Sequence, residues 1–164
     1  MATTSELPET IRIVSELMPE NGTLLDIGVG RGRASLPIAE NRFNLIGVDE
    51  SREMLAGFLE DARRRSVPVE TFEGRWPDIE SQVPAADVAM AANVAYNVAD
   101  IVPFLRAMID HSRIAVVLEV TERHPWVHLA SLYRAVHDLD RPDGPTADDL
   151  VAVVVEMTGV KPVV

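Results

Sequence analysis

Seven consecutive residues, Asp26-Ile27-Gly28-Val29-Gly30-Arg31-Gly32, join an acid to three glycines at alternate positions. They follow an apolar run and precede a helix-like segment, so the glycines fall where the backbone must turn sharply and a ligand can approach closely. Without side chains in the way, a ligand reaches backbone N–H groups at the positive end of the following helix. A second apolar run ends in Gly47-Val48-Asp49, and a carboxylate there can accept hydrogen bonds from both hydroxyls of a ribose. The two features stand in order, about 20 residues apart, the separation expected when one nucleoside spans both. Taken singly, the glycines read as a tight strand-to-helix turn and Asp49 as a cap of the next helix.

A dinucleotide fingerprint needs a third glycine or an alanine three positions after the second, where helix and strand pack closely. Arg33 occupies that position. Asp26 suits a cationic amino-acid group better than a pyrophosphate, which shifts the reading from NAD to S-adenosylmethionine. Other groups that could do chemistry come late in the chain, namely Glu119, Glu122, His124, Trp126 and His128. His124 and His128 share a face if their segment is helical. A general base is one reading and the polar edge of a helix covering the substrate is the other; two histidines without a third ligand make a weak metal site, and none is expected.

Composition narrows the partners. A chain of 164 residues suffices for one well-buried domain and is short for two, so residues 1–164 are read as a single domain. The net charge of −11 argues against broad binding to nucleic acid or an anionic membrane, leaving a small-molecule substrate. The run Arg63-Arg64-Arg65 closes a predicted helix, where cations meet the negative end of the dipole. Absence of cysteine excludes disulfides and thiolate chemistry. With no apolar stretch of about 20 residues and no basic-then-apolar leader, a cytoplasmic location is the expectation.

The elements that must position these groups alternate between strand-like and helix-like segments, the pattern of a doubly wound, mostly parallel α/β sheet with helices on both faces. Strands are predicted at Thr23 to Ile27, Phe43 to Val48, Val67 to Phe72, Asp87 to Ala91 and Arg113 to Val120. A lead-in helix runs from Pro8 to Met18 within residues 1–22. Ser51 is placed to cap a helix whose Met54, Leu55, Phe58, Leu59 and Ala62 form one apolar face, and Ala99 to Asp110 repeats that spacing. Residues 121–158 form a helical region suited to capping the substrate: His124 to Leu139, a turn-rich break at Arg141 to Pro145, then a helix from Thr146 to about Thr158. Val160 to Val164 reads as the opening of another strand, an end that suggests truncation and, if unpaired, a place for association into a homo-oligomer.

From Leu24 to Val120 the chain resembles the class I S-adenosylmethionine-dependent methyltransferases. The resemblance rests on Asp26 to Gly32 as the first motif, Gly47-Val48-Asp49-Glu50-Ser51-Arg52-Glu53-Met54-Leu55 as the second, and Asp87-Val88-Ala89-Met90 with Asn93 to Asp100 as the fourth-strand region. It implies a Rossmann-like methyltransferase fold with S-adenosylmethionine as cofactor. Gly28, Gly30 and Gly32 would line its methionine and ribose, Asp26 would reach its amino group, Asp49 its ribose hydroxyls, and Glu50 and Met54 would lie near adenine. Asn93, Val94, Ala95, Tyr96 and Asn97 would face the transferred methyl group, with Asn93 touching the cofactor and Tyr96, His124 and His128 as candidate catalytic residues.

The sequence departs from the family at Arg75, where relatives often carry an acid that accepts the adenine amino group. Arginine has donors only, so that contact must come from elsewhere, with Trp76 offering either a stacking face or a cover for the sheet edge. Residues 93–97 do not spell the Asn-Pro-Pro-Tyr type of motif found in relatives acting on amino groups of nucleobases or glutamine. The family's closing antiparallel hairpin is expected to be incomplete. The leading reading is a methyltransferase of a small acceptor; a domain that binds the cofactor without turnover is the alternative, and another nucleotide-dependent α/β enzyme is disfavoured by Arg33.

Overall fold

A computed structural model describes residues 8–39, 42–123, 127, 134–136, 138 and 144–164. Two compact units follow one another in the chain, residues Met1–Glu119 and Val120–Val164.

In the first unit, helix α1 (Glu9–Leu17) leads into a five-stranded sheet made of β1 (Thr23–Ile27), β2 (Asn44–Asp49), β3 (Val69–Glu73), β4 (Ala86–Ala92) and β5 (Ser112–Glu119). All four pairings are parallel and the order is β3-β2-β1-β4-β5. The doubly wound α/β reading therefore holds, with every predicted strand found within two residues of its expected limits. Strand β1 is buried along almost its whole length and β2 and β4 nearly so, whereas β3 and β5 flank the sheet and are only partly covered. Continuous apolar runs belong to strands covered on both faces, which is why the central three read most clearly.

Helix α3 (Arg52–Arg64) starts at Ser51, whose hydroxyl accepts from the Met54 N–H, and it buries Leu55, Phe58 and Ala62. Helix α4 (Ile101–Asp110) buries Phe104, Leu105, Ala107 and Met108. Both amphipathic stripes thus serve as core. At the amino edge of the sheet Asp87 accepts from the Thr23 N–H at 2.8 Å and pairs with Arg113. Asp87 thereby fastens three strand starts and lies at the edge opposite the strand ends.

Two expectations fail. The helix predicted straight after the glycines is reduced to turns followed by α2 (Leu36–Ala39). Pro37 sets that start, because it has no N–H to bond the carbonyl four residues earlier and is tolerated only in a first turn. Val160 to Val164 forms no strand.

In the second unit α5 (Ala147–Thr158) opens with a reciprocal cap between Thr146 and Asp149 and closes at Gly159, which is left-handed with φ +70°. The start and stop expected at Thr146 and Thr158 are both observed. Of the predicted helix His124 to Leu139, only residues 127, 134–136 and 138 are described, with 134–136 helical.

Candidate functional site

At the carboxyl edge of the sheet β1 and β4 are neighbours although β2 and β3 intervene in sequence. Connections leave in opposite directions at such a switch point, and a crevice opens between them. A cleft of about 590 Å³ lies there, lined among others by Gly28, Asp49, Glu50, Arg75, Trp76 and Asn93. Six of the residues singled out by sequence thus meet in one cavity of the size that holds small ligands.

The glycine turn is built by main-chain bonds. Gly28 and Val29 both donate to the Val48 carbonyl, at 2.8 and 3.0 Å. Gly28 has φ +70°, and a Cβ there would lie 2.4 Å from Val94 Cγ2, so the residue must be glycine for conformation and for space alike. Gly30 has φ +54° with nothing within 4 Å of where a Cβ would lie, and it is not among the residues that line the cleft. Gly32 instead turns inward against Phe58 and Leu36.

Asp49 ties three segments together. Its carboxylate accepts from the Gly30 N–H and the Ser51 N–H, each at 2.8 Å, while its carbonyl accepts from the Gly74 N–H at 3.0 Å. A carboxylate has about four acceptor sites, so two used by the backbone leave two for ligand hydroxyls. Ser51, not Asp49, caps α3; Asp49 holds the N–H of that capping residue and keeps acceptor sites for a ligand.

Asp26 lies beneath the turn and is only 2% exposed. Burial pushes its carboxyl up to about 7, and the charges of Asp49 and Glu119 push the same way. The Ser35 hydroxyl and Arg33 oppose them. Ser35 favours the charged carboxylate from close by, yet its Oγ completes no hydrogen bond of full geometry. Nothing in the pattern of residues singled out Ser35, a lone serine in a turn.

The opposite wall comes from the ends of β3 and β4. Trp76 lines the cleft but is only 6% exposed; its indole N–H donates to the Phe104 carbonyl at 3.2 Å, and His111 meets it edge to face at 5.0 Å. It is thus a fixed wall. Arg75 is exposed at the rim together with Asp100, from the fourth-strand region, and Asp78, an acid without a motif to mark it. Asn93 is left-handed at φ +60°, and its amide Nδ2 donates to Glu119 at 2.7 Å. Glu119 can only accept when ionised, which assigns the Nδ2 end of Asn93 to it and leaves Oδ1 as the uncommitted end.

Val94 and Asn97 line the cleft, whereas Tyr96 is half-buried in the short turn Ala95–Asn97 outside the lining. Met54, on α3, is 43% exposed and also outside it. His124, Trp126 and His128 lie outside the described residues. Among the described residues no group of three acids, histidines or cysteines could hold a metal, and no helix is long and apolar enough to cross a membrane.

The arrangement fits S-adenosylmethionine on its own features: a glycine turn at Gly28 on the cleft wall and an acid, Asp49, with spare acceptor sites beside it. Comparison with known proteins points the same way. Among curated proteins none matches the sequence. Solved structures share the fold: an S-adenosylmethionine-dependent methyltransferase from Geobacter sulfurreducens in complex with S-adenosylhomocysteine (17% identity, TM-score 0.65, 92% of this chain and 63% of that one), its counterpart from Thiobacillus denitrificans, also with S-adenosylhomocysteine (15%, 0.65, 92% and 63%), and the YcgJ protein of Bacillus subtilis (23%, 0.51, 60% and 43%). The chain thus spans less than two thirds of each of these structures. A family model described as a methyltransferase domain matches residues 24–114, more than half of the chain and all four strand ends that form the cleft. The chain belongs to the methyltransferase domain family.

Proposed function

We propose that this chain binds S-adenosylmethionine in the switch-point cleft and transfers its methyl group to a small-molecule acceptor. The observation that carries this reading is Asp49, which reaches across to the Gly30 N–H while keeping acceptor sites for a ribose. The cofactor supplies a methyl group on a positively charged sulfur, open to in-line displacement. Such a reaction needs alignment of the nucleophile and exclusion of water more than it needs a strong acid or base.

On this reading Asp49 holds the ribose hydroxyls and Asp26 faces the amino group of the methionine portion. Gly28 lets the ligand lie against the backbone, with Gly32 supporting the turn from beneath. Glu50, Arg75 and Trp76 border the adenine. With Nδ2 committed to Glu119, Asn93 offers its Oδ1 as an acceptor, which suits an incoming group bearing N–H or O–H. Residues 121–158 are the segment we assign to acceptor selection.

Calorimetric titration with S-adenosylmethionine, S-adenosylhomocysteine and NAD, repeated with Asp49→Ala, tests the binding. Saturable heat from the first two, weakened by the substitution and absent with NAD, is expected. Release of S-adenosylhomocysteine in the presence of small amine, carboxylate and hydroxyl acceptors then tests transfer. Binding without release across such a panel would turn the reading toward a domain that binds the cofactor without turnover.

A further inference from the structure

Gly57 stands in the middle of α3, a helix of 13 residues, where glycine is a poorer helix former than alanine. Another residue takes the space its side chain would fill. A Cβ at Gly57 would lie 2.5 Å from Arg31 Nη1, and the three atoms nearest to it all belong to the Arg31 guanidinium. Arg31 comes from the glycine turn and lies across the helix to reach Asp61, with Nε at 3.0 Å and Nη2 at 2.8 Å from the same carboxylate oxygen. The other oxygen of Asp61 accepts from Arg64 at 3.3 Å. Gly30 and Gly32, on either side of Arg31, are both left-handed, at φ +54° and +77°. Glycine loses more conformational freedom on folding than any other residue, so a turn built from it gains from being held from outside.

We propose that Arg31 and Asp61 are positioning residues: the guanidinium, seated in the notch that Gly57 leaves on α3, clamps the glycine turn to the helix and so steadies the Asp49 carboxylate for its ligand. The link to the cleft runs through the main chain. Gly30, next to Arg31, donates its N–H to Asp49 Oδ2, while Ser51 at the start of the same helix donates to Oδ1. Helix α3 thus holds both oxygens of one cleft-lining acid, Oδ1 directly and Oδ2 by way of Arg31. That this acid serves a ribose rests on the S-adenosylmethionine reading; the clamp itself does not.

Gly57→Ala separates this role from packing, because it improves the helix while it harms the clamp. The new Cβ meets first the movable end of Arg31, so the melting temperature holds or rises by up to about 3 °C. Affinity for S-adenosylhomocysteine, read by calorimetry, falls about threefold to fivefold, the loss that an exposed ion pair can carry. Arg31→Ala weakens binding by the same factor, and combining it with Gly57→Ala adds nothing further. In the ligand-free chain both variants speed hydrogen exchange at the Gly30 amide severalfold, with the Gly28 amide, bonded to the Val48 carbonyl, unmoved. A melting temperature that falls together with affinity in Gly57→Ala, or losses that add in the double variant, would make Gly57 a packing residue and overturn the proposal. Unchanged exchange at Gly30 overturns the clamp whether or not a ligand binds. Absence of S-adenosylhomocysteine binding by the folded parent chain overturns the cofactor reading, and the exchange measurement still decides the clamp.

Discussion

The two walls of the cleft are built in different ways. On the β1–β2 side the main chain does the positioning: Gly28 and Val29 hang from the Val48 carbonyl, and Asp49 gathers the amides of Gly30 and Ser51. On the β3–β4 side the surface is side chain, with Trp76 wedged in place and Arg75, Asp78 and Asp100 exposed around it. Main-chain geometry cannot be altered without disturbing the sheet, whereas an exposed side chain can be exchanged at little cost in stability. The first wall is therefore fixed by the fold, whereas exposed side chains of the second can change without disturbing the sheet.

Substitutions on the two walls should separate accordingly. Asp49→Ala has the largest expected effect: it removes two hydrogen bonds to a charged acceptor, and affinity for S-adenosylhomocysteine should fall about 100-fold or more, read by calorimetry. Gly28→Ala comes next, costing about 2 kcal/mol or more from the left-handed backbone and the contact with Val94. A thermal melt checks this, and adding Val94→Ala should recover part of the loss. Trp76→Phe should cost about 1 kcal/mol through the lost bond to Phe104, with a matching severalfold loss of affinity. Arg75→Ala should change stability by less than about 0.5 kcal/mol and affinity by only a small factor. An Arg75→Ala effect as large as that of Asp49→Ala would break the contrast between the walls.

Proton linkage sharpens it further. The Asp26 carboxyl is raised in the folded chain to about 7, from an ordinary value of 3.8. Its contribution to stability is therefore full below about pH 4 and lost as pH rises through about 7. Asp26→Asn removes that dependence, so the variant should gain stability relative to the parent between pH 4 and 8, measured by denaturant melts at matched ionic strength. An unchanged difference across that range would mean that Asp26 titrates like an exposed acid.

Much of the first wall was legible in the sequence because backbone constraints leave residue-level traces. Only glycine serves at φ +70° beneath Val94, and an acid at a strand end marks the second motif. Thr23–Ile27 was read at its observed limits because both faces of β1 are buried. Phe43 and Val67 were taken into strands on their apolarity, yet their N–H groups bond the Ala39 and Ala62 carbonyls as the chain leaves α2 and α3. Packing rather than pairing explains their hydrophobicity. Met54 fell within the apolar periodicity of α3 but sits at the edge of its stripe, hence its exposure. Ser35 and the Glu119 contact to Asn93 left no trace, since both depend on side chains brought together from distant positions.

Backbone amide spectra recorded during titration with S-adenosylhomocysteine test the central claim most directly. The account predicts saturable shifts at Gly28, Glu50, Gly74 and Asn93, amides that line the cleft at four strand ends, with α1 unmoved. Absence of shifts at saturating ligand, or shifts confined to residues away from those strand ends, would contradict it.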